Sequence, residues 1–415
     1  MSHKITHCGK QTGILLLLVA LLGGCGEKKP VASPLPAAPV PSRVSVLSWK
    51  DYFSPEVCQQ FTKDTGIEID WRYFENLEEM NALLRSEAGA FDIVVLDDMS
   101  LAELQQLQIL HPLDLARVPN LPNIDPRWLD LPFDRKNQYS VPFMWGTTLV
   151  AYRKDKIPEP QKSWGLLWDE KLRGRVVMLT EKSDVYAVTL LSLGLRFTDN
   201  TDDNLRRCTE KLKQQAETVD ARYTDIYAAK DALLAGDCWA FLAYSGDAAG
   251  LVEKDENVDY FIPKEGAPLW LDSFAMPREA PHPEAGYRFI NYMTEAKAAA
   301  GNANFLSYAT ANRAARPFLN PDLLANPEIN PPEEVLSRCA FIPTGSFDDA
   351  VTNRGMKEIL DFIQTRDLAR NQKNGAAPPA ADEHAPATTG TKAGPDASSP
   401  APPAGVPSHL TSQTP

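Results

Sequence analysis

The sequence lacks a long hydrophobic run, a surplus of basic residues and any cluster of metal-binding side chains. Its most apolar segment, residues 14–22, is shorter than the ~20 residues that a membrane-spanning helix needs. The net charge of −13 argues against nucleic acid as a partner, because phosphates would be repelled. The six histidines follow no ligand spacing, so we expect no metal and no cofactor. No Ser-His-Asp or Cys-His arrangement indicates catalysis, and we do not expect an enzyme.

The beginning of the chain has the pattern of a secretory signal. Lys4 and Lys10 precede the apolar run, and two glycines separate that run from Cys25. A Leu-x-x-Cys ending resembles a bacterial lipoprotein signal, in which the cysteine becomes the acylated first residue of the mature protein. The sequence therefore predicts a signal peptide over residues 1–24. It also predicts a periplasmic protein anchored through Cys25 to a membrane of a bacterial cell envelope.

Two further segments are poor in large apolar side chains. Residues 25–42 are rich in Pro and Ala and predict a semi-rigid tether. Residues 372–415 consist mostly of Ala, Pro, Gly, Ser and Thr, and we expect this tail to be disordered. The stretch between them is too long for one compact core, which predicts two lobes.

Cysteine usage fits an oxidising compartment but fixes no pairing. Besides Cys25, four cysteines remain downstream of the signal: Cys58, Cys208, Cys238 and Cys339. They allow three pairings and form no CxxC motif. A disulfide between Cys208 and Cys238 and a set of buried free thiols are both compatible with the sequence.

Strands and helices alternate along the folded region. Residues 43–49 predict a buried strand, after which Ser54 and Pro55 open a helix that Gly66 ends. The predicted elements that follow are a strand with Ile67, Ile69, Trp71 and Tyr73 on one face, a helix over 76–88, a strand over 91–96 and a helix over 100–107. This order predicts an α/β fold with a parallel sheet. Between residues 139 and 244 the alternation recurs, and it includes a helix predicted over residues 185–195.

Acids and aromatic residues recur where the predicted strands end. In the first lobe they form residues 49–52, Trp-Lys-Asp-Tyr, and residues 97–99, Asp-Asp-Met. In the second lobe they form residues 181–184, Glu-Lys-Ser-Asp, and residues 244–247, Tyr-Ser-Gly-Asp. Residues 270–273, Trp-Leu-Asp-Ser, lie on a strand expected to pass between the lobes. Ligands of such sheets bind beyond the carboxyl ends of the strands, so these residues are candidates for a binding site.

The chain resembles the periplasmic spermidine/putrescine-binding proteins of ABC importers from about residue 44 to residue 366. The stretches that carry the resemblance are 48–52, 61–67, 91–95, 139–146, 163–168, 269–273 and 307–310. The resemblance implies a two-lobe, type II periplasmic-binding-protein fold, with mixed sheets, helices on both faces and a ligand cleft between the lobes. It implies a first lobe of residues 43–145 and 272–316 and a second lobe of residues 146–271 and 317–371.

The resemblance also implies which residues bind the ligand. They are Trp49, Asp51, Tyr52, Asp97, Glu181, Asp184, Tyr244, Asp247, Trp270, Asp272 and Tyr308. Asp247 matches an acid of the putrescine-preferring branch, whereas Tyr244 stands where the family usually has tryptophan. Lys50 and Asp97 replace small polar residues, so the particular amine does not follow from the resemblance.

The chemistry of these residue types agrees with an amine ligand. Carboxylates form charge-assisted hydrogen bonds with ammonium groups, and aromatic faces cover methylene spacers and attract cations. We therefore expect a monomeric protein that captures a small polyamine and delivers it to permease subunits in the inner membrane.

Other interpretations of the same residues stay open at this stage. Trp49, Tyr244, Trp270 and Tyr308 are also typical of packing rings, and Glu181 and Asp184 favour a helix N-terminus through its dipole. Asp272 can pair with an arginine, and Asp247 can cap a turn. The alternative functions are a polyamine sensor or surface lipoprotein not coupled to transport, which the long tail favours, and a thiaminase-like enzyme with a cysteine nucleophile.

Overall fold

The computed structural model describes residues 41–347 and 350–373. The predicted signal, the predicted acylation site Cys25 and nearly all of the predicted tether and tail lie outside these residues. In the part that is described, no helix combines the length and the apolar character needed to cross a bilayer.

The described residues contain both strands and helices. The strands are β1 (Arg43–Trp49), β2 (Glu68–Phe74), β3 (Ile93–Leu96), β4 (Ser140–Arg153), β5 (Val176–Leu179), β6 (Arg222–Thr224), β7 (Ala240–Tyr244), β8 (Val258–Phe261), β9 (Pro268–Ala275), β10 (Ala309–Thr310) and β11 (Ala340–Phe341). The α-helices are α1 (Pro55–Thr65), α2 (Leu77–Ser86), α3 (Asp98–Gln106), α4 (Lys182–Ser192), α5 (Asp202–Thr218), α6 (Ile226–Leu234), α7 (Ser245–Val252), α8 (Pro283–Met293), α9 (Ala296–Leu306), α10 (Pro321–Ala325), α11 (Glu333–Leu336) and α12 (Ala350–Lys373). Short 3₁₀ helices cover Ala88–Ala90, Leu115–Arg117, Leu121–Asn123, Pro126–Trp128, Arg135–Asn137, Trp164–Trp168, Glu170–Leu172, Phe197–Asp199 and Arg313–Phe318.

The described residues form two compact units. The first unit contains residues 41–146 and 270–330, and the second contains residues 147–269, 331–347 and 350–373. Residues 146, 270–271 and 317–330, which the resemblance assigned to the second lobe, therefore fall in the first unit.

The first unit is built on the sheet order β2-β1-β3-β9. β1 is parallel to β2 and to β3, whereas β9 runs antiparallel to β3. The sheet is thus mixed, and only its first three strands form the parallel arrangement predicted from the alternation of elements. One fully buried cluster contains Leu47, Val94, Leu96 and Ala275 together with side chains of α2 and α3. This packing fixes the positions at which β1 and β3 end.

The helix α1 matches its sequence prediction at both ends because its caps are local. The Ser54 hydroxyl accepts a hydrogen bond from the Val57 backbone N–H at 3.4 Å, and Pro55 occupies the first turn. Gly66 has a φ of 72°, the left-handed conformation that glycine adopts without steric cost. The cap holds the chain directly after Tyr52 and Phe53 in one conformation.

Two helices begin earlier than their apolar patterns predict. α3 begins at Asp98 instead of residue 100, since the Asp97 side chain accepts a hydrogen bond from the Ser100 N–H at 3.0 Å and acts as the N-cap. α4 begins at Lys182 instead of residue 185. In both helices the polar residues expected to precede the helix therefore form its first turn.

The second unit contains the strand order β4-β7-β5-β6. β5 is parallel to β6 and β7, and β4 runs antiparallel to β7 and to β8. α4, α5 and α12 pack together beside this sheet. The carboxyl ends of β5, β6 and β7 lead directly into α4, α6 and α7.

The possible disulfide between Cys208 and Cys238 does not form. Cys58, Cys208, Cys238 and Cys339 are all free, and the last three are buried. Burial raises the pKa of the Cys58, Cys208 and Cys238 thiols to about 12. These three cysteines are therefore protonated at neutral pH and pack as small apolar side chains.

Candidate functional site

Asp272 and Tyr52 meet at one edge of the first unit. Tyr52 follows β1, Asp272 lies within β9, and both side chains are buried. The Tyr52 hydroxyl donates a hydrogen bond to Asp272 Oδ2. Burial and then the nearby charge of Asp97 raise the pKa of Asp272 to about 7, although the Tyr52 hydrogen bond opposes the shift. This carboxyl group is therefore poised to titrate near neutral pH.

Two more carboxylates lie close to Asp272. Asp98 is buried, and its Oδ1 accepts a hydrogen bond from the Leu271 backbone N–H at 3.1 Å. Burial raises the pKa of Asp97, while the pKa of Asp98 lies well above its ordinary value because of burial and then the charge of Asp97. Within residues 41–347 and 350–373, none of these three carboxylates forms an ion pair with a lysine or arginine. An ionised carboxylate at this site thus has no basic partner among the described residues.

Aromatic rings continue from Tyr52 along the same edge. The Tyr308 side chain is buried, and its ring centroid is 6.3 Å from that of Tyr52. The Trp270 ring lies edge-on to Tyr308, with a centroid distance of 5.1 Å and an interplanar angle of 81°. Ser307, at the end of α9, has a φ of 58°, and this sharp turn leads the chain into Tyr308. We call Tyr52, Asp97, Asp98, Trp270, Asp272 and Tyr308 the first-unit cluster.

Trp49 and Asp51 lie beside the cluster but in different surroundings. Trp49 is half-buried and packs against Phe74 with a centroid distance of 4.4 Å, so part of its ring belongs to the core of the first unit. Asp51 is exposed and has a φ of 57°, a left-handed conformation uncommon for a residue other than glycine. The turn after β1 therefore holds Asp51 at the surface.

Asp184 is the centre of a second group of polar side chains, in the second unit. It lies in the first turn of α4, where the helix dipole favours a negative charge. Its Oδ1 accepts a hydrogen bond from the Thr148 hydroxyl at 2.8 Å, and its Oδ2 accepts one from the Tyr244 hydroxyl at 2.9 Å. Glu181 is half-buried at the N-cap position of α4. For both Glu181 and Asp184, an interaction with the helix dipole is compatible with a ligand-binding role.

Asp247 forms an ion pair instead of a simple turn cap. It lies in the first turn of α7, and its Oδ1 is 2.6 Å from the Nζ of Lys230 on α6. The Lys230 ammonium also lies over the Tyr227 ring, 5.1 Å from the centroid. This acid, which was predicted to bind a ligand, therefore already has a cation from the protein itself.

Asp98, Thr148 and Lys230 were not among the predicted site residues. Asp98 stands next to Asp97 in the sequence, and its position directly after a buried strand was a signal that could have included it. Thr148 and Lys230 carry no such signal, since their contacts join residues 36 and 17 positions apart. Only the folded chain places these two side chains beside Asp184 and Asp247.

Comparison with known proteins defines the class to which this fold and these residues belong. Residues 56–331 match the family described as bacterial extracellular solute-binding proteins, and the chain belongs to this family. Its mixed α/β architecture is that of the type II periplasmic binding proteins, as the resemblance implied.

Several relatives carry more specific names. The chain is 29% identical over 295 residues to the spermidine/putrescine-binding periplasmic protein of Salmonella typhimurium, covering 70% of this chain and 84% of the relative. It is 30% identical over 313 residues to the putrescine-binding periplasmic protein PotF of Escherichia coli, covering 71% of this chain and 84% of the relative.

Solved structures agree with this grouping. The spermidine/putrescine ABC transporter substrate-binding protein PotD of Streptococcus pneumoniae superposes with a TM-score of 0.69 at 25% identity, over 78% of this chain and 99% of that one. The Tp0655 lipoprotein of Treponema pallidum has the same fold, with a TM-score of 0.67 at 19% identity, over 77% of this chain and 99% of that one.

Proposed function

We propose that this protein captures a polyamine of the putrescine or spermidine kind outside the cytoplasm and delivers it to an ABC importer. The observation that carries the proposal is the first-unit cluster, in which three carboxyl groups that form no ion pair among the described residues adjoin a row of aromatic rings. The names of the relatives support the same ligand class.

The cluster suits the two parts of a protonated polyamine. Its ammonium groups would pair with Asp272 and its neighbouring acids, while the Trp270 and Tyr308 rings would cover the methylene spacers. A carboxylate ~4 Å from an ammonium gains about 4 kcal/mol at an effective dielectric constant of ~20. An arriving cation would also relieve the repulsion among the three acids, whose raised pKa values reflect burial and mutual charge. The Tyr52 hydroxyl would hold the Asp272 carboxylate in one orientation.

We propose further binding residues at the edges of both units. Trp49 and Asp51 in the first unit and Glu181, Asp184 and Tyr244 in the second supply the same residue types. Asp184 is held by two hydroxyl donors, which fixes its carboxylate for recognition of a charged group.

Isothermal titration with putrescine, cadaverine, spermidine and spermine tests the ligand class. The unmodified protein should bind at least one of these amines with micromolar affinity or better. Asp272→Asn should lower that affinity at least about 100-fold, because a charge-assisted contact at a buried site is lost. Trp270→Ala should lower it about tenfold through the loss of ring contacts.

A matched control for Asp272→Asn is Asp259→Asn, which changes a second-unit aspartate that also accepts a hydrogen bond from a tyrosine, Tyr152. It should leave amine affinity unchanged. Absence of heat with all four amines would refute the proposed ligand class, and equal losses in both aspartate variants would refute the assignment of Asp272.

We also propose that Cys25 is acylated and anchors the mature protein to the cell envelope, where a monomer would serve permease subunits. The Leu-x-x-Cys ending of the apolar run supports this part of the proposal. Metabolic labelling with a palmitate analogue should mark the native chain and fail to mark Cys25→Ser. Uptake of labelled putrescine in a strain lacking the protein separates a transport role from a sensor that binds the same ligand.

The thiaminase-like alternative gains no support from the cysteines with shifted pKa values. Such a mechanism needs a thiolate, whereas burial raises the pKa of Cys58, Cys208 and Cys238 to about 12. The named curated relatives are binding proteins.

A further inference from the structure

A lysine of the second unit lies in surroundings typical of a bound amine. The Nζ of Lys230 is 2.6 Å from Asp247 Oδ1 and 5.1 Å from the centre of the Tyr227 ring. The side chains of Lys230 and Asp247 are only 24% and 19% exposed. A carboxylate and an aromatic face around one ammonium are the two contacts by which proteins recognise alkylamines.

The topology of the second unit places this pair at an edge rich in predicted ligand residues. β5 is parallel to both β6 and β7, so the carboxyl ends of the three strands lie on one side. Asp184 is in the first turn of α4 after β5, and Asp247 is in the first turn of α7 after β7. Lys230 lies on α6, the helix that follows β6. The ion pair therefore shares an edge with Asp184.

We propose that Lys230 is a specificity-determining residue, whose ammonium occupies the subsite formed by Asp247 and Tyr227 and so withholds it from an amine ligand. This inference rests on the proposed function. A lysine side chain is a butylammonium tethered to its helix, and a tethered group competes at a high effective concentration. A ligand ammonium could bind Asp247 only by displacing Lys230, whose charge already neutralises that carboxylate. Wild-type affinity would then come from carboxylates other than Asp247.

The test removes the lysine charge and then the carboxylate charge. Putrescine, cadaverine and spermidine are titrated into the full-length wild type, Lys230→Met and the double variant Lys230→Met/Asp247→Asn. Lys230→Met keeps the apolar stem and removes the ammonium that faces the Asp247 carboxylate, so this variant should bind at least one amine about tenfold more tightly. The double variant restores local neutrality and should return to the wild-type affinity.

Lys211→Met is the matched control. Lys211 is another half-buried lysine of the second unit that lies over an aromatic ring, 5.0 Å from the centroid of Trp168. Its loss changes the net charge by the same amount and should leave every amine affinity within about twofold of wild type. If Lys230→Met is too unstable to titrate, Lys230→Gln, which keeps a hydrogen-bond donor for Asp247, should show the same gain.

Each outcome decides the inference. Affinities of Lys230→Met within twofold of wild type, a gain that persists in the double variant, or an equal gain in Lys211→Met would overturn it. If the wild type binds none of the amines, the proposed function fails. In that case the role proposed for Lys230 is supported only if Lys230→Met binds one of the amines, and it is refuted if this variant binds none.

Discussion

At the scale of single residues, the electrostatics of this protein differ between the two units. In the first unit, Asp97, Asp98 and Asp272 are held together by backbone and tyrosine donors, and burial raises the pKa of each. In the second unit, Asp247 is neutralised by Lys230. These three acids therefore have no basic partner among the described residues, whereas Asp247 is paired within its own unit.

The pKa of Asp272 predicts that amine binding weakens as the pH falls. Only the carboxylate form attracts an ammonium, and the pKa of this group in the ligand-free protein is about 7. Affinity should therefore drop about tenfold between pH 8 and pH 6, while the amines themselves remain protonated. Tyr52→Phe removes the hydrogen bond that lowers this pKa, so the drop should move to higher pH. Titration calorimetry from pH 6 to pH 8.5 measures both profiles.

Tyr152→Phe provides the control for this pH profile. It removes a tyrosine–aspartate hydrogen bond of 3.0 Å, to Asp259, in the second unit. Its profile should coincide with that of the wild type. A Tyr52→Phe profile unchanged from wild type, or shifted to lower pH, would contradict the role assigned to the Tyr52–Asp272 hydrogen bond.

At the scale of elements, the candidate residues depend on where helices begin. Tyr52 precedes α1, Asp97 caps α3, and Asp184 and Asp247 lie in the first turns of α4 and α7. Helix N-termini carry unsatisfied N–H groups and the positive end of the dipole, which makes them suitable places for carboxylates. Tyr52 follows β1, and the acids follow β3, β5 and β7. These residues therefore lie near the carboxyl ends of the strands.

Loss of the α1 cap should cost stability. Ser54→Ala removes the hydroxyl that accepts the Val57 N–H, and the free energy of unfolding should fall by about 1 kcal/mol. Ser86→Ala, which removes a serine hydroxyl bonded within the helix to the Ala82 carbonyl, should change it by less than about 0.5 kcal/mol. Denaturant unfolding of both variants measures the difference. Equal values for the two would show that the Ser54 cap contributes nothing specific.

At the scale of the whole molecule, stability rests on packing without covalent cross-links among the described residues. Cys58, Cys208, Cys238 and Cys339 are free, although the expected compartment permits disulfides. Each unit has its own sheet with helices packed against it, and such cores can stabilise domains of this size without disulfides.

The free thiols predict that a reducing agent leaves the melting temperature unchanged, because there is no disulfide to break. Native alkylation followed by mass spectrometry should leave Cys208 and Cys238 unmodified, since both are fully buried and their thiols have pKa values of about 12. Alkylation after unfolding should modify both. A lower melting temperature under reduction would contradict the free-thiol assignment.

Local patterns in the sequence determined the elements and the kinds of residues at their ends. Ser54, Pro55 and Gly66 act on their immediate neighbours, so the bounds of α1 were predictable, and β1 agrees with its prediction at both ends. Alternation of strands and helices indicated an α/β fold, and short stretches along the chain indicated the solute-binding class.

Tertiary structure alone decided which of these residues meet and which are already satisfied. The Tyr52–Asp272 hydrogen bond joins residues 220 positions apart, and the Lys230–Asp247 ion pair joins two separate helices. The burial that raises the pKa of Asp98 and of the Cys208 and Cys238 thiols also depends on long-range packing. Helix and strand propensities and helix caps act over a few residues. In contrast, the desolvation of a titratable group and the charges near it depend on every element that surrounds the group.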